Sequence, residues 1–264
     1  MRTAYHPTGA WILAPIALLR SHPVIYWKPR LRNSAFMASR PLLKSMATIK
    51  RHPSALLLGV QLLGVMLYPA MENTPEGSAL FGAFGIVVLA LALWVVNRSP
   101  MLNSVAWALA VPAVVLSLAA AVGERPGLIA FAQALESALY FYTAFGLTAY
   151  MLRDHRVTGD ELFAAGATFT LLAWAFAFAY SVCDQWSPGS FTAGVHADSP
   201  RTWMELLYLS FSTLSGVGLS DVLPLRAPAR AIVMLEQFAG VMYIALVVSR
   251  LIGLATSRAI ARRD

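Results

Sequence analysis

Six long apolar runs, each close to the length of a membrane-spanning helix, constrain the fold of this chain more than any other feature. They lie at about residues 54–70, 79–96, 101–122, 128–152, 161–183 and 230–255. A helix needs roughly 20 apolar residues to cross a hydrocarbon core about 30 Å thick. The runs lack the alternation of period two that strands show, and single strands cannot satisfy their backbone in lipid, so the runs predict helices.

The composition agrees with a membrane protein. Hydrophobic residues make up 58% of the chain and charged residues 12%, whereas a soluble domain has about a quarter charged residues. Cys183 is the single cysteine, which excludes an intrachain disulfide, and the five histidines lie outside the apolar runs without the spacing of metal ligands. We therefore expect an all-α membrane protein with six transmembrane helices, no metal site and no cofactor.

The positive charges predict the orientation. Nine of the 20 Lys and Arg lie in residues 1–53, which contain no Asp or Glu. Six spans place both termini on one side, which then carries sixteen Lys and Arg against four on the other side. By the positive-inside rule we expect both termini in the cytoplasm and the chain in a plasma membrane. The basic segment is expected to face anionic lipid rather than nucleic acid.

The stretch between the last two apolar runs differs from the rest. Trp203–Leu214 is apolar but too short to cross a membrane, which suits a re-entrant half-helix. Ser215–Asp221 follows it and is interrupted by glycines. Irregular backbone is tolerated at membrane depth only where it is buried in protein or lines a water-filled path. A half-helix followed by such backbone is how rings of carbonyl oxygens for dehydrated cations are built.

The segment from Tyr208 to Pro224 reads Y-L-S-F-S-T-L-S-G-V-G-L-S-D-V-L-P. Without a gap it resembles the pattern Y-F-S-F-x-T-L-T-T-V-G-Y-G-D-I-T-P of bacterial six-transmembrane potassium channels. The resemblance implies a voltage-gated-channel-like pore architecture, a homotetramer, and passive conduction of a monovalent cation such as K⁺.

The chain then divides into four parts. Residues 1–53 form a basic cytoplasmic segment, 54–157 a peripheral four-helix domain, 158–255 the pore domain and 256–264 a cytoplasmic tail. Residues 1–53 are an interfacial anchor, a targeting segment, or residues upstream of a true start at Met37 or Met46.

The resemblance also assigns the site residues. The filter comprises Thr213, Ser215, Gly216, Val217, Gly218, Leu219, Ser220 and Asp221. Gly240 follows Arg230 by ten residues, like the hinge glycine of such channels. Gly240 is either a gating hinge or a small residue at a helix crossing.

Three positions of the family's T-V-G-Y-G motif, which corresponds to residues 216–220 here, depart from the pattern. Gly216 lacks the threonine hydroxyl that forms the innermost ion site, and Leu219 lacks the tyrosine that ties the filter to the pore helices. Ser220 replaces a glycine whose backbone angles cost other residues on the order of 1–2 kcal/mol. Val217, Gly218 and Asp221 are kept. We expect a filter with fewer ion sites or looser support, and relaxed selectivity.

Three acidic residues near the predicted pore or inside the spans are further candidates. Asp221 either concentrates cations at the outer mouth or bonds a neighbouring donor. Glu236 is expected to face the pore helix in a packing role, and Glu136 has no obvious partner in the sequence. The fourth span lacks the repeated arginines of a voltage sensor, so steep voltage gating is not expected.

Two other functions remain open. The altered filter is compatible with a non-conducting or regulatory channel homologue. Ser215-Gly216 faintly resembles the serine motif of intramembrane proteases. However, Thr213 stands where a glycine is expected, and every histidine lies outside the apolar runs, away from hydrogen-bond reach of Ser215. We expect no enzyme activity and no enzyme substrate.

Overall fold

The computed structural model describes residues 53–71, 75–96, 102–123, 126–153, 159–193 and 199–260. The predictions for the basic N-terminal segment therefore lie outside the described residues, apart from Pro53. The described part contains seven helices. They are α1 (Pro53–Met71), α2 (Pro75–Val96), α3 (Asn103–Gly123), α4 (Pro126–Arg153), α5 (Gly159–Trp186), α6 (Trp203–Leu214) and α7 (Ala227–Ile260).

Three of the described helices begin with proline, as expected from its fixed φ and missing N–H. Pro53, Pro75 and Pro126 are the first residues of α1, α2 and α4. The first amide of a helix has no intrahelical partner, so proline costs nothing there. Helix α7 continues to Ile260, which is farther than the predicted boundary of the cytoplasmic tail.

Five of the described helices are long and apolar enough to cross a membrane. These are α1, α3, α4, α5 and α7. The predicted second span falls on α2, which has 22 residues, and among its described side chains the apolar segment is Phe84–Trp94. Five spanning-length helices are thus observed, and the sixth span stays a prediction.

Helix α5 is the centre of the bundle. It packs against α1, α4, α6 and α7, and its buried alanines Ala164, Ala167 and Ala173 allow this close approach. Trp174 and Leu171 of the same helix are almost completely buried. Helices α3 and α2 pack on α4 and complete the peripheral part. The two regions predicted as separate domains therefore share α5 as a common packing surface.

A short two-stranded ribbon was missed by the all-α prediction. β1 (Phe191–Ala193) pairs antiparallel with β2 (Val222–Pro224), and Phe191 lies opposite Pro224. The amide of Leu225 donates to the carbonyl of Ser190 at 2.8 Å and extends the pairing. Strands of three residues are too short for a period-two pattern, which explains the omission. The ribbon ties the chain that leaves α5 to the chain that enters α7.

Candidate pore and filter

Helix α6 is the half-helix that the sequence predicts, with the same two ends. It has 12 residues and so is about 18 Å long, too short for a membrane span. Thr202 caps its N-terminus: its hydroxyl accepts from the amide of Glu205 at 3.3 Å, and the Glu205 carboxylate accepts from the amide of Thr202 at 2.7 Å. This reciprocal capping box satisfies two amide donors at the helix start.

An ion pair stiffens the same helix start. The guanidinium of Arg201 lies 3.4 Å from the carboxylate of Glu205, and the side chain of Arg201 is 1% exposed. Because so little of Arg201 meets solvent, the pair is screened less than a surface pair. The N-terminus of α6 is thus fixed by two separate contacts to Glu205.

The chain reverses direction immediately after Leu214. The amide of Gly216 donates to the carbonyl of Thr213 at 3.1 Å, and the amide of Gly218 donates to the carbonyl of Ser212 at 3.0 Å. Gly216 has φ +74° and Gly218 has φ +69°, values that L side chains rarely adopt. A Cβ at either position would meet no atom within 4 Å. These two glycines are therefore required by backbone conformation and not by lack of space.

Most predicted filter residues form an exposed strip. Val217 and Leu219 are 70% and 69% exposed, and Gly216, Gly218 and Asp221 are exposed as well. Asp221 makes no side-chain hydrogen bond or ion pair to any residue that the structure describes. A strip of exposed backbone beside large exposed apolar side chains is unusual for a surface that has no binding partner.

The remaining predicted filter residues lie at the two ends of this strip. Thr213 is buried in the last turn of α6, and Ser215 caps that helix, with its hydroxyl donating to the carbonyl of Ser212 at 3.2 Å. The Ser220 hydroxyl accepts from the amide of Val222 at 3.1 Å. The five histidines lie outside the described residues.

Gly240 of α7 lies against the end of α6. It is buried, and a Cβ there would come under 3.0 Å from the carbonyl oxygen, carbonyl carbon and Cα of Leu214. Such proximity to main-chain atoms explains why this position needs a glycine. The helix-crossing role is thus observed, whereas the hinge role stays a prediction.

A buried polar cluster lies one turn before Gly240. The Glu236 side chain is fully buried, and its carboxyl group bonds the hydroxyls of Tyr180 on α5 and Ser210 on α6. The prediction that Glu236 faces the pore helix is confirmed. Its bond to Tyr180 was missed, because no sequence pattern connects α5 to a particular turn of α7.

Glu136, which has no obvious partner in the sequence, has one in the structure. Ser117 of α3 donates its hydroxyl to the Glu136 carboxyl group of α4 at 3.1 Å. This contact could not be predicted from the sequence, because the two residues lie on different predicted spans. Glu136 therefore links α3 to α4 and lies in the peripheral part of the molecule.

An aromatic cluster that the sequence did not indicate supports the start of α6. Trp203 contacts Trp174 and Phe178 of α5, with ring centroids 5.2 and 5.8 Å apart, and Tyr68 of α1 at 5.4 Å. Pairs of aromatic rings at such distances stabilise by about 0.5–1.5 kcal/mol beyond burial. The cluster connects the peripheral helix α1 to the half-helix.

The first turn of α5 makes polar contacts with two other long helices. The Arg250 guanidinium of α7 lies 3.4 Å from the Glu161 carboxylate in the first turn of α5. The neighbouring Asp160 accepts from the amide and hydroxyl of Ser54 at 3.3 and 3.1 Å. The first turn of α5 therefore holds both the start of α1 and the last part of α7.

Comparison with known proteins identifies the same region. A family model described as "Ion channel" matches residues 167–257, about a third of the chain, and this range includes most of α5, all of α6 and nearly all of α7. No curated protein and no solved structure matches the chain. The match and the five apolar helices support a multi-pass membrane protein with an ion-channel segment.

Proposed function

We propose that the chain is one quarter of a tetrameric cation channel. Backbone oxygens of Gly216, Val217, Gly218 and Leu219 from four copies would replace the water around a monovalent cation, as in other carbonyl-lined filters. The observation that carries the proposal is the capped half-helix α6, which ends in a glycine-dependent, exposed loop between two spanning-length helices.

The apolar surface of α7 supports assembly with further copies. Its exposed large side chains recur at helical spacing: Met234, Leu235, Phe238, Val241, Met242, Ile244, Val248 and Ile252. Val217 and Leu219 of the predicted filter are exposed large apolar side chains as well. A head-to-tail contact that repeats by rotation closes into a ring, and a ring of four gives the filter a common axis.

The proposed selectivity is relaxed, with K⁺ as the preferred ion. Gly216 contributes no hydroxyl, and the exposed Leu219 contributes no hydrogen bond to hold the loop. Four copies of Asp221 would attract cations to the outer mouth through their combined field. The orientation follows from the basic residues and places both termini in the cytoplasm of a plasma membrane.

Flux through purified protein tests the proposal. The full chain is reconstituted in liposomes, and reversal potentials are measured under K⁺/Na⁺ gradients. Gly218→Ala is expected to abolish or strongly reduce cation flux, because alanine at φ +69° costs about 1–2 kcal/mol in each chain. The matched control is Gly85→Ala, since a Cβ at Gly85 meets no atom within 4 Å. Absence of flux in the wild-type protein would contradict the proposal.

A non-conducting homologue is the second candidate, favoured by the altered residues at 216 and 219. The discriminating variant is Leu219→Tyr with Ser220→Gly, compared with the wild-type chain in the same liposomes. This variant does not include Gly216→Thr, the third change towards the family pattern. A β-branched residue at φ +74° would itself distort the loop. Conduction by the double variant alone would favour the silent homologue.

A further inference from the structure

The carboxyl group of Glu236 belongs to a chain of hydrogen bonds that crosses three helices. The Tyr180 hydroxyl of α5 donates to Oε2 of Glu236. Oε1 of Glu236 bonds the Ser210 hydroxyl, which also lies 2.8 Å from the carbonyl oxygen of Ala173. Glu236, Ser210 and Tyr180 are all completely buried.

The protons of this chain can be counted. A serine hydroxyl has one proton, and a carbonyl oxygen can only accept. Two oxygens 2.8 Å apart need a proton between them, so Ser210 donates to Ala173. The remaining bond between Ser210 and Oε1 of Glu236 then needs a proton from Glu236. With a neutral acid, each hydrogen bond from Tyr180 to Ala173 has one donor and one acceptor.

Among the residues that the structure describes, no charged side chain is paired with Glu236 to balance a carboxylate. Tyr180 is the titratable group that faces Glu236 from α5, and α6 presents Ser210. The charged side chains that the structure describes on α5, α6 and α7 have other partners: Asp160 with Ser54, Glu161 with Arg250, Asp184 with Ser190, Glu205 with Thr202, and Arg230 with Pro224. An unpaired buried carboxylate would be costly in these apolar surroundings.

Glu236 also lies at the right place to influence the filter. Glu236 and Gly240 are one turn apart on α7, and they meet Ser210 and Leu214, which are one turn apart on α6. Residues four apart lie on the same face of a helix. The two helices therefore meet along one seam, with the polar contact at one end and the filter at the other.

We propose that Glu236, as a neutral acid, is a positioning residue that holds α6 against α5 and α7, and that loss of its proton loosens the filter. The proposal rests on the conducting function proposed above. When the proton leaves Oε1 for solvent, Ser210 turns its own proton to the new carboxylate. The Ser210–Ala173 contact then has no proton, its two oxygens repel, and α6 loses this hydrogen bond to α5.

Infrared spectroscopy of the purified full chain tests the protonation directly. At neutral pH the wild type is expected to show the carbonyl band of a protonated carboxyl group that Glu236→Gln removes. Glu136→Gln is the matched control, because Glu136 is a second intramembrane acid with a serine partner, and it must leave the Glu236 band in place. Tyr180→Phe removes the donor to Oε2 and is expected to shift that band to higher frequency.

Conduction tests the positioning role. The K⁺/Na⁺ permeability ratio of the wild type is expected to fall towards one at alkaline pH, in parallel with loss of the band. Glu236→Gln is expected to keep the wild-type ratio at all pH values, since the amide donates to Ser210 and still accepts from Tyr180. Absence of a Glu236 band at neutral pH, or the same pH profile in both proteins, would overturn the proposal.

A silent wild-type chain would refute the conducting function without deciding the protonation. In that case the infrared band still shows whether Glu236 is protonated. Thermal unfolding then shows whether Glu236 holds α6 against α5 and α7. Stability falls with pH wherever the folded state binds more protons than the unfolded state. The wild type, but not Glu236→Gln, is therefore expected to lose thermal stability at alkaline pH, and equal loss in both would overturn the positioning role.

Discussion

Gly240 of α7 lies against the main chain of Leu214, the last residue of α6, so closely that a Cβ would come under 3.0 Å from three backbone atoms. Backbone cannot move aside as a flexible side chain can. Gly240→Ala should therefore separate α7 from the filter end of α6 and destabilise the protein by about 1–3 kcal/mol. Thermal unfolding in detergent and cation flux in liposomes measure the effect.

Gly253→Ala is the control for this substitution. It lies on the same helix, and a Cβ there meets no atom within 4 Å. It should leave stability within about 0.5 kcal/mol of the wild type, as surface changes usually do. If Gly240→Ala is no less stable than Gly253→Ala, the close crossing of α6 and α7 is not maintained in the folded protein.

The half-helix and the glycine-interrupted loop after it were predictable because they depend on local sequence. The length of the apolar segment predicted the short helix Trp203–Leu214, and the glycines at 216 and 218 indicated irregular backbone. The positive φ of Gly216 was not predicted from the resemblance to the family filter pattern. A glycine in place of threonine there changes the permitted backbone as well as removing a hydroxyl.

The contacts between spans were not predictable from the same sequence. Apolar runs report how much surface each helix can bury, but not which helices are neighbours. For this reason the bonds of Glu136 to Ser117 and of Glu236 to Tyr180 were missed. The same reason explains the omission of the aromatic contact between Tyr68 and Trp203, which lie on helices far apart in the chain.

The capping box of α6 predicts a measurable loss when Thr202 is replaced. Thr202→Ala removes the acceptor for the amide of Glu205 and should destabilise the protein by about 1 kcal/mol, the usual cost of a lost cap. Thermal unfolding is the measurement. Thr148→Ala is the control, because the Thr148 hydroxyl only bonds the carbonyl of Ala144 within its own helix. Equal losses in the two variants would argue against a capping role.

The ion pair between Arg250 and Glu161 predicts coupling between the end of α7 and the start of α5. Both side chains are mostly buried, with 16% and 7% exposed. A double-mutant cycle with Arg250→Gln and Glu161→Gln should give a coupling energy of about 0.5–3 kcal/mol. Thermal or chemical unfolding provides the four stabilities.

Arg153→Gln is the matched control for this cycle, since Arg153 is an exposed residue at the end of α4. Combined with Glu161→Gln, it should show additive effects. Charge reversal at both positions, Arg250→Glu with Glu161→Arg, should recover part of the stability lost in either single reversal. Additive behaviour of the Arg250 and Glu161 substitutions would mean that the pair does not hold the two helices together.

We predict that the effect of the Asp221 charge on conductance depends on ionic strength. The residue is exposed at the end of the filter loop, so four copies in the proposed tetramer would raise the local concentration of cations. Asp221→Asn should lower single-channel conductance clearly at about 0.01 M salt, where the Debye length is about 30 Å, and hardly at all at about 1 M, where it is about 3 Å. The convergence of the two proteins at high salt serves as the internal control. An equal reduction at both salt concentrations would instead indicate that Asp221 supports the loop structurally, because a lost hydrogen bond is not restored by screening.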